Sequence, residues 1–228
     1  MKLLLFDIDG TLVNSGGAGN RAFSRALEEV YGLSDGLNGV WLDGKTDIQI
    51  VREVFTRRQL SFEHAEEVCD ELFRTYLGFL KVELELAGDR YEVLPGVDQL
   101  LTILSRDDRL FLGLATGNIE QGARLKLEVG RLNGFFADGG FGSDAECRTE
   151  LIKIAIRRCE KKSALGTMEP VVVIGDTPRD IRHAHEAGAE VVAVASGRYS
   201  ADQLEECGPE LVVETLTPSA SLLGFLRG

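Results

Sequence analysis

Short apolar runs alternate with longer stretches in which apolar residues recur every three or four positions. The runs fall at residues 2–7, 110–115, 171–175, 190–195 and 211–214, each the length of a buried strand. Between them, Val97, Leu100, Leu101 and Leu104 share one helical face, as do Ile119, Ala123 and Leu127, and Leu151, Ile152, Ala155 and Ile156. Strands alternating with helices predict βαβ units, and hence an α/β fold built on a parallel sheet. The first run must join that sheet.

Residues 15–88 read differently. They hold no convincing strand. Asn20 is expected to cap a helix carrying Phe23, Ala26, Leu27 and Val30, with Gly32 near its end. Thr46 and Gln49 form a capping-box pattern ahead of Ile50, Val51, Val54 and Phe55. Ser61 precedes a long stripe of Ala65, Val68, Cys69, Leu72, Phe73, Tyr76 and Leu80. These stripes predict helices packed on one another. The organisation is therefore a core from residues 1–14 and 89–228, with a helical domain inserted at 15–88. Gly16, Gly17 and Gly19 mark one junction; Gly88, Pro95 and Gly96 mark the other. The run Gly17-Ala18-Gly19-Asn20-Arg21-Ala22 fits GxGxxA and leaves a non-catalytic nucleotide-binding module as a reading from another class. It begins about ten residues past the first strand, and no second strand ending in an acid follows, so it reads as a hinge.

Composition narrows the partners. A net charge of −12 argues against nucleic acid and anionic membranes, and a small anionic substrate would need local positive charge. No apolar run approaches the ~20 residues that span a bilayer, and the chain starts directly on a strand, so the expected location is cytoplasmic. Cys69, Cys147, Cys159 and Cys207 form no CxxC pair and are expected as reduced thiols. A monomer or homodimer is expected.

Three polar clusters each follow an apolar run: Asp7-Ile8-Asp9-Gly10-Thr11, Thr116-Gly117-Asn118, and Asp176-Thr177-Pro178-Arg179-Asp180. In a parallel sheet all three lie along the carboxyl edge, where ligands bind. Carboxylates without His or Cys suit a hard cation such as Mg²⁺. An Asp nucleophile at ~4 Å from a phosphate dianion meets roughly 8 kcal/mol of repulsion at an effective ε of 20. That is about six decades of rate, which a bridging cation can offset. Thr116 and the amides after it can hold phosphoryl oxygens at a helix N-terminus. Asn118 either joins them or caps that helix.

The pairing of DxDGT after one strand with GDxxxD after another resembles the haloacid dehalogenase superfamily, of the phosphoglycolate-phosphatase-like type with a helical cap. The resemblance spans essentially the whole chain. It implies a Rossmann-like core, an inserted cap at 15–88, Mg²⁺ as cofactor and a small phosphorylated metabolite as substrate. Asp7 resembles the nucleophile that forms an aspartyl-phosphate. Asp9 resembles the general acid/base, with its backbone carbonyl as a metal ligand. Asp9 also separates phosphatases from the dehalogenase branch, which lacks it. Asp176 resembles a metal ligand; Asp180 resembles a group that supports the metal through water or orients the basic residue. Thr116 and Gly117 match the phosphate-binding motif. The usual Lys before the helix that precedes the last motif is missing from the segment 142–150; Arg148 is the favoured replacement and Lys153 the alternative. Asp43-Gly44-Lys45-Thr46-Asp47 resembles a cap specificity loop, with Lys45 placed to read a second anionic group. Related sugar phosphomutases tend to carry Arg at the position of Asp47, so its absence favours hydrolysis over phosphomutase activity.

Overall fold

The protein is described by a computed structural model, covering residues 1–163 and 166–228. Strand β1 (Lys2–Phe6) lies inside a six-stranded sheet, between β4 (Leu110–Thr116) and β6 (Val171–Gly175). Beyond β4 lies β5 (Gly139–Phe141); beyond β6 lie β7 (Glu190–Val194) and β8 (Leu211–Val213). Every pairing is parallel. The period of two in β1 explains its unbroken apolar run. Leu3 and Leu5 enter one core layer with Leu151, Ile152 and Ile181. Leu4 and Phe6 enter the opposite layer with Val97, Leu100 and Leu127.

Helices α4 (Val97–Leu104) and α5 (Glu120–Val129) cover one face of the sheet; α6 (Arg148–Ser163) and α7 (Pro178–Glu186) cover the other. The short α8 (Ala201–Glu205) and the terminal α9 (Ala220–Arg227) complete the layers. Strand β5 has no apolar run and escapes a hydrophobicity reading. Its sequence is Gly-Gly-Phe because a Cβ at Gly139 would strike the Leu114 backbone, and one at Gly140 the Leu151 carbonyl.

Residues 18–87 form a separate packed layer. Helices α1 (Ala18–Tyr31), α2 (Asp47–Arg57) and α3 (Ala65–Ala87) bury Phe23, Leu27, Val51, Val54, Leu72, Tyr76 and Leu80 together. Thr46 caps α2 in the anticipated capping box with Gln49. One anticipated start differs. Asn20 lies inside α1, whose N-cap is Gly17 in the left-handed region at φ 78°, a conformation that favours glycine. Helix α3 begins at Ala65, the first residue of its apolar stripe. Where the chain enters and leaves this layer, β2 (Val13–Asn14) and β3 (Glu92–Val93) pair antiparallel, Val13 opposite Val93. The two crossings are thus tied side by side. No helix among the described residues is long and apolar enough to cross a membrane. All four cysteines are free.

Candidate active site

Three loops at the carboxyl edge of the sheet converge. Asp7 follows β1, Thr116–Asn118 follow β4, and Asp176 follows β6, directly ahead of α7. Together with the cap they enclose a cavity of about 450 Å³ that Asp7, Asp9, Lys45, Lys126, Arg148 and Asp176 help to line.

Asp7, Asp176 and Asp180 are buried, and each offers one carboxylate oxygen within 4.8 Å of the others. Burial pushes the Asp7 pKa up, partly opposed by the Arg148 guanidinium and reinforced by Asp180. Burial also drives Asp176 well above the usual carboxylate range, with Asp180 and Asp7 adding repulsion. Arg148 answers part of this charge: its Nη2 lies 2.9 Å from Asp7 and 2.5 Å from Asp180. Arg148 opens α6 and is itself buried. Of the two basic candidates, only Arg148 enters the cluster; Lys153 is half-exposed on the outer face of α6, bonded to Glu150.

The residues fit a divalent cation. Asp180 Oδ1 is a buried oxygen met by Arg148 Nη2, so the cluster sets three buried carboxylates against one cation. Beside Asp176, a Cβ at Gly10 or Gly197 would overlap the carboxylate, so both glycines keep space open around it. The donors are all oxygen, the set preferred by Mg²⁺. Thr11 donates to Asp176 Oδ1 at 3.1 Å and fixes its orientation. Asp180 has a second task. Its Oδ2 accepts from the Thr177 amide at 3.0 Å and the Thr177 hydroxyl at 2.7 Å, closing the capping box of α7.

Asp9 stands apart from this cluster. Its Oδ2 accepts from Lys126 Nζ at 2.6 Å and from Asn118 Nδ2 at 2.8 Å. Lys126 also donates to Asn118 Oδ1 at 2.7 Å, closing a triangle. The Asp9 side chain is thus paired with a buried ammonium. Sequence reasoning passed over Lys126. The signal was present: Ile119, Ala123 and Lys126 share helical spacing, and a lysine in an apolar stripe needs a buried partner.

Thr116 is fully buried, and its hydroxyl oxygen accepts from the Asn118 side chain at 2.9 Å and backbone at 3.3 Å. It holds Asn118 in place, while Gly117 and Asn118 line the cavity. Asn118 does not cap α5, whose N-cap is Ile119 without a side-chain bond from that residue. Gly117 is small because the cap loop lies on it: a Cβ there would overlap the Lys45 carbonyl.

The cap is docked on the core. The Asp47 amide donates to the Gly117 carbonyl at 2.8 Å, and its Oδ2 accepts from the Ile119 amide at 2.8 Å. Burial raises Asp47 to about 6, against the lowering effects of that bond and of Lys126. Thr46 donates to the Glu146 carbonyl, and Arg52 grips the Glu146 carboxylate at 2.6 and 2.8 Å. Arg198, after β7, stacks on Trp41 and pairs with Asp43 at 3.3 Å. Lys45 faces the cavity but is bonded to Glu53 on its own domain, which lowers the Glu53 pKa.

An α/β core with its acids on two strand-end loops, Thr116–Asn118 on a third and a helical layer over them is the architecture of a capped hydrolase. Residues 1–188 match the family model of haloacid dehalogenase-like hydrolases. The chain is 26% identical over 219 residues to "Probable phosphatase IndB" of Dickeya dadantii, covering 94% of this chain and 90% of that one. It is 24% identical over 228 residues to pyrophosphatase PpaX of Anoxybacillus flavithermus, covering 98% and 97%. A solved hydrolase from Pseudomonas syringae shares the fold at a TM-score of 0.70 and 21% identity, over 100% of this chain and 98% of that one. The chain belongs to the haloacid dehalogenase-like hydrolase family and is an enzyme of it.

Proposed function

We propose that this enzyme hydrolyses a small phosphomonoester with Mg²⁺, through an aspartyl-phosphate on Asp7, beneath a closed cap formed by residues 15–88. The observation that carries this reading is the division of environment between two acids two residues apart. Asp7 sits in the buried carboxylate cluster against Arg148; Asp9 sits outside it, bonded to Lys126 and Asn118. Acids whose environments differ in this way suit a nucleophile and an acid/base.

In the first half-reaction, an Asp7 oxygen attacks phosphorus as the ester P–O bond breaks, and Asp9 gives its proton to the departing alcohol oxygen. In the second, Asp9 takes a proton from water, which attacks phosphorus and releases phosphate and free Asp7. Lys126 and Asn118 both bind Oδ2 of Asp9, which leaves Oδ1 for proton transfer. Asp7 and Asp176, with the Asp9 carbonyl, would hold Mg²⁺, and Asp180 orients Arg148 from behind. When bound, Mg²⁺ supplies charge that keeps the buried carboxylates ionised and screens the phosphate from them. Gly117 and the amides after it would hold phosphoryl oxygens, with Thr116 bracing Asn118. The docked cap excludes water during transfer and must open to release product.

Phosphomutase activity is disfavoured, because Asp47 brings a buried carboxylate to the cap position where an anion-binding Arg would serve a second phosphate. Phosphate release from a panel of small phosphomonoesters tests the proposal. Release is expected with Mg²⁺, to vanish on chelation and to return on re-addition. Release indifferent to chelation, or none from any ester, would overturn it.

A further inference from the structure

We propose that the cap side of the cavity selects phosphomonoesters of neutral alcohols over those whose leaving group carries its own negative charge. This rests on the phosphatase reading above and adds the class of leaving group.

The charges lining the cavity are already spoken for. Its cations among the described residues are Lys45, Lys126, Arg148 and Arg198. Each has an acid partner: Glu53 for Lys45, Asp9 for Lys126, Asp7 and Asp180 for Arg148, and Asp43 for Arg198. Arg148 belongs to the phosphoryl end. Of the rest, Lys45 is the cation that the cap itself aims at the leaving group, and Glu53 cancels it. Asp47 brings a further carboxylate to this end without a cation in direct contact; its partner is the Ile119 amide. A carboxylate or a second phosphate on the leaving group would therefore meet surplus acid, with no free cation to receive it.

The remaining cap lining suits a neutral group. Phe23, Leu37, Leu42 and Ile50 supply apolar wall, and the Asn20 amide is an exposed neutral hydrogen-bonding group beside them. Burial holds the neighbouring Tyr76 hydroxyl neutral by raising its pKa. An alcohol with an apolar face and a few hydroxyls, such as a sugar or nucleoside, matches these surfaces. The pairing of Lys45 with Glu53 thus reverses the expectation that Lys45 reads an anion.

The test compares glucose 6-phosphate and uridine 5′-monophosphate with phosphoglycolate and pyrophosphate, with Mg²⁺ present. Pyrophosphate is the demanding control, given the name of one relative. Two readouts are taken: kcat/KM for phosphate release by the native protein, and calorimetric binding to Asp7→Asn, which does not depend on turnover. The neutral-alcohol esters should lead in both by roughly tenfold or more. Glu53→Gln should free Lys45 and narrow the gap to phosphoglycolate by roughly tenfold. Equal or better binding of phosphoglycolate or pyrophosphate would overturn the selectivity, as would absence of binding by all four. An unchanged gap in Glu53→Gln would also overturn it. Absence of phosphate release with the binding order intact would instead count against hydrolysis and leave the selectivity supported.

Discussion

The sheet edge and the cap face enclose one cavity, yet they carry charge in opposite ways. At the sheet edge, Asp7, Asp176 and Asp180 crowd around the single guanidinium of Arg148. On the cap, acids and bases are matched locally: Lys45 with Glu53, and Arg21 and Arg25 with the buried Glu83. Asp47 departs from that pattern and touches the core. Unbalanced buried acid invites a divalent cation and, through it, a phosphate. A balanced face rejects further charge and leaves shape and hydrogen bonding to discriminate. On the proposed function, chemistry and selectivity are thereby separated between two parts of one chain.

The comparison breaks most severely at Asp7. Asp7→Asn keeps the shape of the site and removes the proposed nucleophile; kcat for phosphate release should fall by about four decades or more. Arg148→Ala attacks the same edge through its balance. It leaves Asp7 and Asp180 as buried acids without their cation, and urea unfolding in chelator should show a loss of about 3–5 kcal/mol. Added Mg²⁺ should restore part of that loss, since it replaces positive charge in the cluster.

Asp47 sharpens the cap side. Its folded pKa is raised from 3.8 to about 6, so its ionised form destabilises the docked state. That destabilisation is fully present above pH 6 and is relieved as the pH falls toward 4. Asp47→Asn should therefore gain stability over the native protein above pH 6, by up to ~3 kcal/mol, and the gain should disappear near pH 4. Thermal unfolding of both proteins across that range reads the difference directly. The smallest effect is expected at Lys126. Lys126→Met leaves Asn118 alone to hold Asp9, and kcat should fall by roughly 10- to 100-fold with KM little changed.

These regions also differed in how far the sequence exposed them. The acids of the sheet edge follow apolar runs directly, so strand-end logic finds Asp7, Asp9 and Asp176 without coordinates. The choice between Arg148 and Lys153 needed the helix to be seated: five residues, about 1.4 turns along α6, put one on the buried face and the other in solvent. Lys126 was hidden because the spacing of Ile119, Ala123 and Leu127 accounts for α5 without it. Strand β5 was hidden because close packing against Leu114 and Leu151 requires glycine where an apolar signature would normally stand. The cap helices were legible from their stripes. Their charge pairing was not, since Lys45 and Glu53 meet only once α2 is formed, and Asp47 reaches Ile119 only once cap and core dock.

The assignment of Asp7 as nucleophile is tested most directly by trapping the phosphoenzyme. The protein would be mixed with a ³²P-labelled phosphomonoester and Mg²⁺, quenched in acid during turnover and digested to peptides. Base-labile label is expected on the peptide that contains Asp7, and none in Asp7→Asn. Turnover without any protein-bound label, or label on a peptide lacking Asp7, would contradict it.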